Sequence, residues 1–554
     1  RKDSSLISDI VICAILALCS SGAYGCLGDA QGLQLSAKFL FRALVLLCYF
    51  FLIFRLIRFV LSKSEKGPGA AAGKLNAFLS KNSAPKQLLA LSVVMLLCWT
   101  PYLILMFPGN ISMDCSGQLS QAEAFFQSGN FSDLNNHHPL FDTFLYGLVI
   151  MGLFHLTGSF GLGVFVFTLL QAICTAVAFA LVVLFLSKRL GRNAGFCLGA
   201  AAFFALCPIV PIMVCILCKD TMFSWIYLLF LTSFIGIILS MKSSAPLSRS
   251  QILSLTLFGL FACLTKQFGV YIVIPSLVFL TLFGAFSRKS KLLLLIPMTT
   301  CILVMWIMLP LGISQLGIQK GGTQEMLSIP FQQSALTYIN HKDEIPAEEK
   351  EILGRVLVLD TIEEDYWPQN ADGVKGFSPR GSKQDYAAYL KVWVSQGLRY
   401  PKDWVNGWAK HVSPLFVATP IWTYFNSELT VRDDILPADY WMKDDFNVRG
   451  GQFVQDMYVW FRSIPLIDIL FLSFPYAIGI PALLFSIAFS CRNKRASLLV
   501  AIPVAISIAG YLLSPIVGEH TESSRYLLPF IYSAPLILGY CGYALGEKRT
   551  RADD

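Results

Sequence analysis

Residues 111–139, ISMDCSGQLSQAEAFFQSGNFSDLNNHHP, carry Asp114, Glu123, Asp133, His137 and His138 and no lysine or arginine. Elsewhere, isolated cations stand in short polar breaks between apolar runs: Lys219 beside Asp220 in CKDT, Lys266 in TKQFG, and Arg525 after Glu522 in ESSRY. A carboxylate in such a set can take the proton of an attacking hydroxyl. Lone cations at the same level can grip a phosphate and stabilise it as a leaving group. A loop without cations leaves Asp114 ionised and unpaired. A neighbouring cation would lower its basicity.

Each candidate also has a plainer reading. Asp114 precedes a helix expected over Gln118 to Gln127 and would serve there as an N-cap. Glu123 would lie on a solvated face of that helix or act as a second acid. His137 and His138 precede Pro139, which suits a helix start, or one of them touches a phosphate. Lys219 and Asp220 would form a local pair worth under about 1 kcal/mol. Lys266 would snorkel to the interface. Arg525 either holds phosphate or pairs with Glu519 or Glu522. Gln332 and Gln333, in SIPFQQS, are amides that could bond sugar hydroxyls.

The elements that must position these residues are membrane helices. The chain has 554 residues, of which 55% are hydrophobic and 14% charged, and a mean hydropathy of +0.61. A soluble domain is about 25% charged. Many apolar runs reach about 20 residues, enough to cross a bilayer as a helix, and nothing alternates as a barrel strand does. The 15 cysteines lie mostly within apolar runs and form neither a zinc pattern nor a disulfide framework. The chain starts at Arg1 rather than Met, so its true start is expected to be missing, and no cleavable signal peptide is expected.

Basic clusters mark the cytoplasmic side. They lie at Arg55 to Lys86, Lys188 to Arg192, Lys242 and Arg249, Arg288 to Lys291, Arg492 to Arg495, and Lys548 to Arg551. About twelve spans place them all on one side: 6–27, 37–61, 87–107, 161–186, 194–216, 221–240, 250–265, 268–287, 292–312, 464–489, 497–516 and 525–545. The apolar stretch 140–156 then lies along the outer face. The expected fold is therefore an all-α polytopic membrane protein. A two-helix hairpin and basic loop occupy 1–86, a transmembrane core with outer loop 108–160 occupies 87–312, and the last helices and tail occupy 463–554. Between them, 313–462 holds 20 of the 35 acidic residues and is rich in aromatics. It reads as an extracytoplasmic domain of mixed secondary structure.

Several segments in this order resemble the GT-C superfamily of polytopic glycosyltransferases. They are SMDCSGQLSQA, NNHHPLFDTFLYG at the start of a membrane-parallel helix, CPIVPIMVCILCKDTMFSW, SIPFQQSALTY and ESSRYLLPF. The resemblance covers most of residues 87–545. It implies a bacterial plasma-membrane enzyme, with its active site on the extracytoplasmic face. The enzyme would move a sugar from a polyprenyl-phosphate donor to an envelope glycan, polymer or lipid, with inversion. Asp114 then corresponds to the family's outer-loop aspartate, which acts as base or orients the acceptor and in some members helps bind a divalent metal. A magnesium or manganese ion is left open on that ground. Where related chains have RNNG, this one has TKQFG. Lys266 keeps the charge but not the bidentate grip of an arginine. Two other readings are a flippase for lipid-linked sugars and a non-catalytic envelope assembly factor. A transporter would place internal repeats and ionisable residues near mid-membrane, whereas the charges here sit at helix ends. No nucleic-acid partner is expected.

Overall fold

Lipid offers no partner to backbone N–H and C=O groups, so apolar runs of this length must close their hydrogen bonds internally as helices. The computed structural model describes residues 2–28, 33–64, 83–376, 380–417, 419–421, 447–515, 517 and 524–546, and is nearly all helical. Helices α1 (Lys2–Gly28) and α2 (Ala37–Lys63) form a hairpin. Next come α3 (Ala84–Leu105), β1 (Asn110–Ile111), α4 (Met113–Ser128) and α5 (Leu140–Thr157), the last with a π-helical stretch at 147–151. Helices α6 (Phe160–Lys188), α7 (Ala194–Leu206) and α8 (Ile209–Val214) lead to β2 (Ile216–Leu217) and α9 (Lys219–Lys242). Three apolar helices follow: α10 (Arg249–Thr265), α11 (Gly269–Phe283) and α12 (Arg288–Gln315).

Among the described residues, nine helices are long and apolar enough to cross a membrane: α1, α2, α3, α5, α6, α9, α12, α19 (Lys494–Leu512) and α20 (Ser524–Gly546). The chain is thus a multi-pass membrane protein. Eight of the nine coincide with expected spans, and α5 is the stretch expected to lie along the outer face. Helices α7, α10, α11 and α18 (Pro475–Ser490) are apolar but shorter, at 10–17 residues. The expected span 194–216 is broken. Its helix stops at Leu206 because Cys207, preceding Pro208, is extended at φ −65° and ψ 115°.

Burial ranks these helices. The apolar window is 83% buried in α9 and 89% in α20, but only 22% in α2 and 17% in α12. Helices α9 and α20 therefore form the centre and pack on each other. The outer helices present leucines and phenylalanines outward, such as Leu40, Phe41 and Leu44 on α2. That pattern suits lipid as solvent. The N-terminal hairpin is tied to the rest by buried Asp9, which pairs with Arg58 at 2.7 Å and accepts from Ser486 on α18.

The acidic segment differs from expectation. Its described residues are helical rather than mixed: α13 (Ser328–His341), α14 (Ala347–Gly354), α15 (Lys383–Arg399), α16 (Pro401–Val412) and α17 (Val448–Arg462). Phe331, Leu353, Leu357 and Tyr389 form a core of their own beneath α13 to α15. Aromatic density here marks helix packing rather than strands.

Candidate functional site

A two-residue parallel ladder builds the site. The Asn110 N–H donates to the Cys215 carbonyl at 2.8 Å, and the Ser112 N–H donates to the Leu217 carbonyl at 3.1 Å. From α6, the Gln171 amide donates to the carbonyls of Val214 and Ile216, at 2.8 and 3.0 Å. Gly109 makes the entry to β1 at φ +130°, where a Cβ would run into the Thr168 hydroxyl. The two strands run in the same direction, so the helices that follow start side by side. Asp114 is the second residue of α4, and Lys219 the first of α9. The α4 cap is Ser112, which accepts from the Cys115 N–H, and not Asp114. The helix also starts at Met113, earlier than the expected Gln118.

The first turn of α20 brings Arg525, and the end of α10 brings Lys266. One oxygen of Asp114, Oδ2, is 2.8 Å from Lys219 Nζ and 2.8 Å from Arg525 Nη1. Lys219 also lies 2.8 Å from His138 Nδ1. An ammonium can only donate, so Nδ1 accepts and the ring proton sits on Nε2, 4.0 Å from Asp114 Oδ1. Lys266 pairs with the fully buried Asp220, whose other oxygen is 3.6 Å from Arg525 Nε. The Lys266 ammonium stands 4.6 Å from the centre of the Tyr526 ring, and Arg525 donates to the Tyr526 hydroxyl at 3.2 Å. Apart from Asp220, these charged side chains are 11–18% exposed.

The electrostatics follow from this packing. Burial works to raise the Asp114 carboxyl, but Arg525 and Lys219 outweigh it and hold the group well below the usual carboxylate range. Burial, then Lys219, pushes His138 down to about 3, so it is neutral at pH 7. His137 is also lowered, chiefly by burial. Among the described residues, three cations (Lys219, Lys266 and Arg525) face two carboxylates (Asp114 and Asp220). The first turns of α4, α9 and α20 add the positive ends of their peptide dipoles. Cations at helix N-termini are a setting in which an anionic group can be held.

The expectation that Asp114 stays unpaired is overturned. Its own loop lacks cations, but α9 and α20 supply two. The other expected site residues divide. His137 meets His138 edge to face, with ring centres 4.5 Å apart. Their loop is pinned by Gln267, which donates to the Asn136 carbonyl at 2.8 Å, and by the Gly321 N–H, which donates to the Asn136 side chain at 2.7 Å. Glu123 lies nine residues beyond Asp114 on α4, about 14 Å along the helix. It is engaged there by His155 and Gln127, each at 2.8 Å, and is not a second acid of this site. Gln332 and Gln333 are buried in the acidic domain, where they donate to the carbonyls of Trp367 and Trp404. Both side chains are buried away from the Asp114 cluster; Gln333 Oε1 also accepts from Trp393 Nε1 at 3.0 Å, whereas Gln332 Oε1 has no hydrogen-bond partner among the described residues. Glu522 lies outside the described residues.

Two neighbours were missed. Tyr526 caps the Lys266–Arg525 side. Asp142 on α5 is fully buried, neither of its oxygens has a hydrogen-bond partner among the described residues, and it lies within electrostatic reach of Lys219 and Asp220. A lone acid in the apolar run PLFDTFLYG was the available signal. Among the described residues, no group of three or more His, Cys, Asp or Glu side chains could hold a metal ion. The seat a divalent ion would need at Asp114 Oδ2 is taken by Lys219 and Arg525, so the residues present do not fit the metal left open by the sequence.

Compared with known families, residues 129–550 match the model described as "Family of unknown function (DUF6020)". The matched segment holds His138, Lys219, Asp220, Lys266 and Arg525, and begins after Asp114. Nothing matches among the curated proteins, and nothing matches among the solved structures.

Proposed function

This chain belongs to the DUF6020 family, and we propose that it is a membrane glycosyltransferase of GT-C type that takes its sugar from a polyprenyl-phosphate donor. The observation that carries the reading is the meeting of Lys219, Arg525 and His138 around Asp114, with Lys266 on the adjoining Asp220, from four separate segments. That set matches what the chemistry needs. An acceptor hydroxyl attacks the anomeric carbon and its proton passes to a carboxylate. The bond from anomeric carbon to phosphate oxygen breaks, and the leaving phosphate keeps the electron pair. Cations held in a water-poor site stabilise that leaving charge, and loss of one such donor costs about 100- to 1,000-fold in rate.

Orientation supports the same reading. Helix α9 runs from the site at Lys219 to Lys242, and α20 runs from Arg525 towards Lys548. The site therefore lies at the helix ends opposite these basic residues. By the positive-inside tendency that end is extracytoplasmic. The acceptor is an envelope glycan, polymer or lipid. Twelve crossings, counting α7, α10, α11 and α18 and leaving α5 on the outer face, complete the topology.

The test uses purified full chain in lipid nanodiscs, a panel of polyprenyl-phosphate sugars, and detection of free polyprenyl phosphate. Release from one donor, lost in Lys219→Met, supports transfer. Donor binding without release from any member, in the presence of envelope acceptors, would favour a flippase instead.

A further inference from the structure

The single oxygen Asp114 Oδ2 lies 2.8 Å from both Lys219 Nζ and Arg525 Nη1. Two cations converging on one oxygen is the geometry of a phosphate oxygen in its seat. We infer that Asp114 is a placeholder for the donor phosphate: its carboxylate sits in the anion seat formed by Lys219 and Arg525 and is released as a base only when a phosphate takes both cations. This rests on the donor reading above and assigns that site its order of events.

A general base needs proton affinity, and a carboxylate clamped by two cations has little. The groups facing Asp114 are Lys219 on α9, Arg525 on α20, and His138 from the loop before α5. His138 is neutral, so the clamp is the two cations. If a phosphate binds both, Asp114 loses its partners and gains a second anion nearby. Each change raises its proton affinity. The acceptor O–H proton then passes to Asp114, the acceptor oxygen bonds to the anomeric carbon, and the anomeric C–O bond breaks with its electron pair moving to the phosphate. In the absence of donor, the same cations keep the base inactive. Arg525 and Lys219 do not lose all compensation on release, since Asp220 remains 3.6 Å from Arg525 Nε and within electrostatic reach of Lys219.

The experiment measures binding of polyprenyl monophosphate to the full chain in nanodiscs, for wild type and Asp114→Asn. The placeholder competes with the ligand, so its removal tightens binding by about tenfold or more, the scale of one charge-assisted hydrogen bond, while sugar transfer is lost. Equal or weaker binding by the variant, with wild type binding, overturns the placeholder and leaves the donor reading standing. No binding by either folded protein removes the donor reading and the inference with it. Should Asp114→Asn fail to fold, the structure of wild type with polyprenyl monophosphate decides. Asp114 Oδ2 separated from at least one of Lys219 and Arg525 supports the inference, and both contacts retained at hydrogen-bond distance overturn it.

Discussion

Replacing Arg525 by Gln separates the binding role of the cluster from its structural role. The guanidinium is 11% exposed, 2.8 Å from Asp114 and 3.6 Å from Asp220. Breaking a buried ion pair usually costs about 3–5 kcal/mol because a charge is left unpaired. Here each carboxylate keeps a cation, Asp114 with Lys219 and Asp220 with Lys266. The loss in stability is therefore about 1–3 kcal/mol, the scale of one buried charged hydrogen bond. The cluster loses one of its cations, so phosphate loses both a donor and that charge's attraction. A charged hydrogen bond of about 1.5–3 kcal/mol corresponds to about 10- to 100-fold in affinity. Arg525→Lys restores the charge without the fork and should recover part of that loss. The assay is fluorescent polyprenyl phosphate binding in nanodiscs, with a thermal melt of the same samples. Affinity for Arg525→Gln within twofold of wild type, in a protein that still melts cooperatively, would refute the assignment of Arg525 to an anion seat.

Three further outcomes follow from the same geometry. Asp142→Asn removes no hydrogen bond among the described residues, so its melting should correspond to a change under about 1 kcal/mol; a loss of about 3 kcal/mol or more would mean the carboxylate is charged and paired. His138 stays neutral in the folded protein down to about pH 3, but protonates near pH 6.5 once unfolded. Its contribution is thus fully present above about pH 6.5 and lost as pH falls towards about 3. His138→Gln keeps an acceptor for Lys219 and should flatten the fall in melting temperature between pH 7 and pH 5; identical slopes would contradict the assignment. Gly109→Ala forces a side chain into φ +130° and against Thr168, at a cost of about 1–3 kcal/mol of strain. Circular-dichroism melting reads this, and an unchanged melt would show that the β1 entry is not constrained.

The sequence carried the helix class clearly, because 20-residue apolar runs admit few alternatives. It carried less about helix ends. Pro208 breaks 194–216 through the residue before it, an effect that hydropathy averages away. In the acidic segment the aromatics point to a folded unit, and the described ones pack between helices; its polar composition carries no period that tells those helices from strands. The cluster residues were legible one at a time, as cations and acids in short polar breaks. Their pairing was not. The two-residue β1–β2 ladder that sets Asp114 beside Lys219 joins positions more than 100 residues apart and has no periodicity to detect. That is why Asp114 read as unpaired. Gln332 and Gln333 show the converse: SIPFQQS looks polar in sequence, yet both glutamines are buried and their amide nitrogens donate to the carbonyls of Trp367 and Trp404.

The most direct test of the central claim is phosphorus NMR of polyprenyl phosphate titrated with the full chain in nanodiscs. Wild type is predicted to shift or broaden the phosphate resonance saturably, with the effect abolished in the Lys219→Met/Arg525→Gln double variant and retained in Glu123→Gln. A wild-type protein that leaves the resonance untouched, or a double variant that perturbs it as wild type does, would contradict the account.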